Sequence, residues 1–85
     1  KATGNSMINA GIFPGDLLIV DRSLEAVNNK IVVAVLNGEF TVKRLRKRQG
    51  RITLLAENPN FPPIEIPDEA DFEIWGVVAH VLHTV

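Results

Sequence analysis

"KIVVAVLNGEFTVKRLRKR", residues 30–48, reads as two strands joined by the dipeptide Asn37-Gly38. That dipeptide accepts positive φ at both central positions of a type I′ turn, the two-residue connection whose twist suits antiparallel strands. The stretch therefore predicts a tight hairpin, 30–36 against 39–48. Within the second strand Thr41, Lys43 and Leu45 share one face, while Phe40 and Val42 point the other way. Lys43 interrupts an apolar pattern there, so the hairpin also supplies the first residue that asks for a chemical explanation.

Working outward, "LLIVD" (17–21) follows the turn signal Pro14-Gly15 and reads as a first strand. After the hairpin, Gln49-Gly50 turns the chain into "RITLLAE" (51–57), extending the meander. "NPNFPP" (58–63) cannot join a ladder at its prolines and is expected as a surface loop. "IEI" (64–66) reads as a short edge strand, and "FEIWGVVAHVLHTV" (72–85) as a long last strand bent near Gly76. Only "SMINAG" (6–11) and "SLEAV" (23–27) are candidates for a helical turn, because no stretch holds a 3.6-residue period for longer than about two turns. The expectation is an all-β chain forming one domain over residues 1–85.

Composition narrows the function. With 46% hydrophobic and 22% charged residues the chain is globular, but at 85 residues its core is small and its stability margin thin. Nine basic residues against ten acidic give a net charge of −1, which removes a general case for binding nucleic acid or an anionic membrane. The absence of cysteine excludes disulfides and thiolate metal sites and suits the cytoplasm. The longest apolar run, near residues 31–36, is too short to span a bilayer.

Chemistry has few places to reside. Ser6, in "GNSM" (4–7), is either a turn residue or a nucleophile, and neither His80 nor His83 stands at a motif spacing from it. Those histidines read as strand residues with satisfied rings; three apart on a strand they face opposite ways, so they do not form a metal pair. Lysine is the other base a serine can use. Lys43 is either a solvent-facing strand residue or that base. An ordinary lysine is about 0.04% neutral at pH 7, and half-neutralising it takes a downward shift of about 3.4 units, roughly 4.6 kcal/mol. Burial can supply a shift of that size. The run "KRLRKRQGR" (43–51) is the one basic cluster; it reads as a solvated hairpin face, with a local anionic contact through Arg44, Arg46 and Arg48 as the alternative.

Taken in register, "GNSM", "GIFPGDLLIVD", "GEFTVKRL", "LLAENPNFPPIEI" and "WGVVAHVLH" resemble the catalytic domain of the LexA/UmuD family of self-cleaving serine peptidases, across nearly the whole chain. The resemblance implies a twisted, signal-peptidase-like β fold with at most one or two helical turns. It places a Ser-Lys dyad at Ser6 and Lys43, an oxyanion hole at the main-chain N–H groups around Asn5 and Ser6, and Met7 packed over the dyad or simply filling the core. No cofactor and no metal is implied. Within the family the stand-alone UmuD-like mutagenesis proteins are the nearer match in "GDLLIVD", "GEFTVKRL" and "GVVAHVLH". That reading implies self-cleavage stimulated by a RecA-ssDNA filament, a homodimer, and a partnership with a Y-family, UmuC-like polymerase subunit in SOS translesion synthesis. The alternative is the self-cleavage and dimerisation domain of a LexA- or phage-type repressor. Neither reading implies sequence-specific nucleic-acid contact by this domain. The family's Ala-Gly or Cys-Gly cleavage segment is expected upstream of residue 1, so the chain reads as an N-terminally truncated domain.

Overall fold

The computed structural model describes residues 4–83. Among these residues six strands form one antiparallel sheet: β1 (Leu17–Asp21), β2 (Ile31–Leu36), β3 (Glu39–Arg48), β4 (Arg51–Leu55), β5 (Ile64–Ile66) and β6 (Phe72–Leu82). Their order across the sheet is β1-β6-β2-β3-β4-β5. The all-β expectation holds, and the strand bounds differ from it by a few terminal residues. Thr84 and Val85, expected to continue the last strand, lie outside the described residues.

The β2–β3 hairpin runs from Ile31 opposite Arg44 to Leu36 opposite Glu39. Asn37 and Gly38 have φ of 50° and 83°, the left-handed pair that a type I′ turn requires. Gln49 and Gly50 repeat the arrangement at 50° and 75°, closing β3 onto β4 with Arg48 opposite Arg51. β5 then pairs with β4 through Ile64, Glu65 and Ile66.

The last strand completes the sheet by returning between β2 and β1. Phe72 to Val77 of β6 pair with β2, and Val77 to Leu82 pair with β1. Each pairing carries a register shift, one where Val33 and Ala34 meet Gly76 and Ile74, the other where Ile19 and Val20 meet His80 and Val78. Such bulges bend a strand and sharpen its twist, and here they lie where an 11-residue strand serves one neighbour along each half. The predicted bend near Gly76 is this first bulge. Gly76 has no room for a side chain, because an added Cβ would meet Val20 Cγ1 at 2.5 Å.

The two faces carry separate apolar clusters. Val32, Ala34, Leu45, Leu54 and Val77 form the larger core, joined by half-buried Ile52, Ile64, Ile66, Phe72 and Ile74. On the second cluster Met7 and Ile12 pack with Leu18, Ile31, Val42 and Val81. That contact fastens the segment before β1 to the sheet. The segment contains one 3₁₀ turn, Ile8–Ala10, ended by Gly11 at φ 81°.

The second expected helical turn, residues 23–27, does not form. Asp21 Oδ1 accepts both the Ser23 N–H (2.8 Å) and the Ser23 hydroxyl (2.6 Å), an Asx-type turn that competes with helical hydrogen bonding. Asn29, at φ 71°, then reverses the chain into β2. Too few residues remain between these two turns to nucleate a helix.

Candidate active site

Ser6 stands in a turn held at both ends. Downstream, Met7 is 3% exposed in the second cluster, and the Asn9 N–H donates to Glu57 O at 2.9 Å. Upstream, Asn5 O accepts the Asn58 side-chain amide at 2.9 Å. Both clamps come from the loop between β4 and β5. Ser6 is left half-buried, with its hydroxyl turned toward β3.

Lys43 meets it there. Its Nζ lies 2.8 Å from Ser6 Oγ, 2.9 Å from Thr41 Oγ1 and 3.2 Å from Val42 O. The residue is 9% exposed, and burial pushes its ammonium below the ordinary lysine value. Of the two sequence readings of Lys43, the solvent-facing strand residue is therefore corrected: the side chain is buried. The cross-strand neighbour Val32 is fully buried and Leu45 lies beside it on the same face, so charge on Nζ is desolvated from that side.

The register explains why Val42 O is available. Leu45 N–H donates to Lys30 O, which makes 30/45, 32/43 and 34/41 the hydrogen-bonded pairs of the hairpin. The peptide groups of Val42 therefore point away from β2. They also lack β4, whose pairing with β3 begins at Arg44 opposite Leu55. From Phe40 to Lys43 the outer edge of β3 is open, and the Ser6 turn sits alongside it.

Three oxygens around one nitrogen can take the three N–H bonds of an ammonium, and the same geometry serves a neutral amine. Two N–H bonds can point to Thr41 Oγ1 and Val42 O, which leaves the lone pair directed at the hydroxyl of Ser6. The arrangement can accept a proton from Ser6 and hold it. Thr41 thus positions the lysine, a role sequence reading missed although it placed both residues on one face.

An open cleft of about 640 Å³ adjoins the pair, walled by Met7, Val20, Val33, Phe40, Val42 and Trp75. Trp75 is held edge-on to Phe40 at 6.1 Å between centroids, and the Arg22 guanidinium lies 4.6 Å from its ring centroid. Met7 lines this cleft and fills the small core at once, so both of its expected roles are compatible with its place.

The remaining candidates lie elsewhere. His80 is exposed on β6 opposite Ile19. His83 Nδ1 is 2.8 Å from Asp16 Oδ2, a carboxylate brought from the turn before β1 that spacing along the chain did not reveal. No group of three or more potential metal ligands occurs among the described residues. Within the basic run, Arg44 pairs with Glu57 and donates to Asn29 O at 2.6 Å, so it braces the β4–β5 loop. No helix among the described residues is long and apolar enough to cross a membrane.

The sequence profile described as Peptidase S24-like matches residues 1–79. The chain is 50% identical over 84 residues to the LexA repressor of Bordetella parapertussis, covering 99% of this chain and 39% of that protein. It is 48% identical over 83 residues to the LexA repressor of Dechloromonas aromatica, covering 96% and 41%. It is 46% identical over 85 residues to that of Cupriavidus pinatubonensis, covering 99% and 39%. The chain thus spans about two fifths of the length of these curated relatives. With a profile match over most of its length and relatives near half identity, the chain belongs to the Peptidase S24-like, LexA/UmuD family of self-cleaving serine peptidases.

Proposed function

We propose that the chain is the self-cleavage and dimerisation domain of a LexA-type transcriptional repressor, with Ser6 as nucleophile and Lys43 as general base. The observation that carries the reading is the 2.8 Å approach of Lys43 Nζ to Ser6 Oγ in a site where burial lowers the lysine pKa. Ser6 Oγ attacks the scissile carbonyl as its proton passes to Lys43. The same nitrogen then protonates the leaving amine, and water reverses the sequence on the acyl-enzyme. The Ser6 N–H, and the Asn5 N–H beside it, stabilise the oxyanion. The substrate is a segment of the same protein, extended along the open edge of β3 from Phe40 to Lys43 with its side chains in the adjoining cleft.

The stand-alone mutagenesis protein was the nearer match by sequence motif. The relatives at 45–50% identity carry the name LexA repressor, and this favours the repressor over the polymerase accessory and its UmuC-like partner. A homodimer, cleavage stimulated by a RecA-ssDNA filament, and a cytoplasmic setting in the DNA-damage response go with the repressor reading.

The test is self-cleavage of the protein with its upstream segment present. Cleavage is expected to rise with pH as Lys43 loses its proton, and Lys43→Ala and Ser6→Ala are each expected to abolish it. Cleavage of Lys43→Ala at the wild-type rate refutes the assignment. Operator binding by the whole protein, or its absence, separates repressor from polymerase accessory.

A further inference from the structure

We infer that Asn58 is a positioning residue for the oxyanion hole, a role that rests on the Ser6 reading above. Asn58 is 8% exposed in an otherwise exposed, proline-rich loop, so its burial needs a reason. Its side chain is committed at both ends. Oδ1 accepts the Asn60 N–H at 3.0 Å, and Nδ2 donates to Asn5 O at 2.9 Å. Its own carbonyl accepts the Phe61 N–H at 3.0 Å, which closes the loop into a rigid turn behind the amide.

The carbonyl that Asn58 holds belongs to the same peptide group as the Ser6 N–H. In a trans peptide the two point in opposite directions, and no cis peptide occurs among the described residues. Asn5 O also accepts the Ile8 N–H at 3.4 Å within its own turn; the shorter Asn58 bond draws it toward the β4–β5 loop, which aims the Ser6 N–H the other way. That N–H has no acceptor among the described residues. A neighbouring bond from the same loop, Asn9 N–H to Glu57 O, keeps the turn from rotating as a unit. Asn58 makes no hydrogen bond to the side chain of Ser6 or Lys43; it acts through the peptide plane.

The probe is an alkyl fluorophosphonate, whose phosphoryl oxygen occupies the oxyanion position. A Ser6 Oγ–P bond forms, the P–F bond breaks, fluoride leaves, and the serine proton goes to Lys43. The rate of adduct formation, read by intact mass across pH, gives a plateau and a midpoint, and thermal melting gives the folded fraction. Asn58→Asp keeps the acceptor for Asn60 N–H but loses the donor to Asn5 O. Its plateau rate is expected to fall about ten-fold or more with the midpoint unchanged. Asn58→Ser, which is too short to reach Asn5 O, is expected to fall likewise while remaining folded.

A plateau equal to wild type in both variants overturns the inference. So does a loss that disappears on correction for folded fraction, or one that appears only as a moved midpoint. If the wild-type chain forms no more adduct than Ser6→Ala, the Ser6 reading itself fails and takes this inference with it.

Discussion

Replacing Thr41 by valine should lower the pKa of Lys43, although the substitution makes no change in charge. Thr41 Oγ1 lies 2.9 Å from Nζ and accepts one of its hydrogens in either protonation state. The bond is stronger to an ammonium, about 1.5–3 kcal/mol, than to a neutral amine, about 0.5–1.5 kcal/mol. Its removal therefore costs the charged form about 1–1.5 kcal/mol more, which is about one pKa unit downward. This adds to the lowering that burial already imposes. The assay is a pH titration of the Lys43 Cε resonance in the ¹³C-lysine-labelled chain, assigned with Lys43→Arg. The acid limb of the Ser6 labelling profile should move down by the same amount. The plateau should fall, because the lone pair has lost the contact that aims it at Ser6. Thr41→Ser retains the hydroxyl and should titrate like wild type. An unchanged or raised Lys43 pKa in Thr41→Val refutes the account of Nζ as an amine sorted among three oxygens.

Two further outcomes test the frame around the site. Gly76→Ala drives a Cβ to 2.5 Å from Val20 Cγ1 and should lower stability by about 1–3 kcal/mol in denaturant melts; adding Val20→Ala should restore part of the loss, and additive losses would place the strain elsewhere. Asp16 accepts the Phe13 N–H at 2.8 Å, which is the main reason its carboxyl lies below the usual carboxylate range, with the His83 contact a smaller one. A depressed carboxylate stabilises above its unfolded pKa of about 3.9 and loses that contribution as pH falls through the folded value. The melting-temperature gap between wild type and Asp16→Asn should therefore be open at pH 7 and close below about pH 4, and a gap constant with pH would show that ionisation of Asp16 is irrelevant.

What could be read ahead of the structure was whatever depends on neighbours along the chain. Asn37-Gly38 announces its turn because two successive left-handed residues suit few other sequences, and the observed φ values of 50° and 83° are of that kind. Alternation put Thr41 and Lys43 on one face, which is why the lysine could be suspected before its burial was known. Asn58 could not be suspected in this way: an asparagine between a glutamate and a proline reads as a turn former, and only the fold brings it 2.9 Å from a carbonyl 53 residues earlier. The insertion of β6 between β1 and β2 was equally hidden, since hydrophobic alternation says that a strand has a buried face and nothing about which strands flank it. Residues 23–27 misled for the opposite reason. Their composition permits a helical turn, and the Asp21–Ser23 hydrogen bonds that prevent it are local but conformational.

The position of the site follows from where the sheet runs out of partners. β3 is ten residues long, but β4 pairs only with its C-terminal half, from Arg44 to Arg48. At that boundary the strand passes from two neighbours to one, and the first peptide group facing the side without a strand is that of Val42. Its carbonyl needs a donor, and the side chain one residue further on supplies it. The same unpaired edge leaves room for the Ser6 turn, which the β4–β5 loop holds through Glu57 and Asn58 because β4 ends at Leu55. A β4 extended by two residues would cover Val42 and displace Ser6 together. The burial of Lys43, the placement of Ser6 and the open edge of β3 are thus three consequences of one early end to a strand pairing.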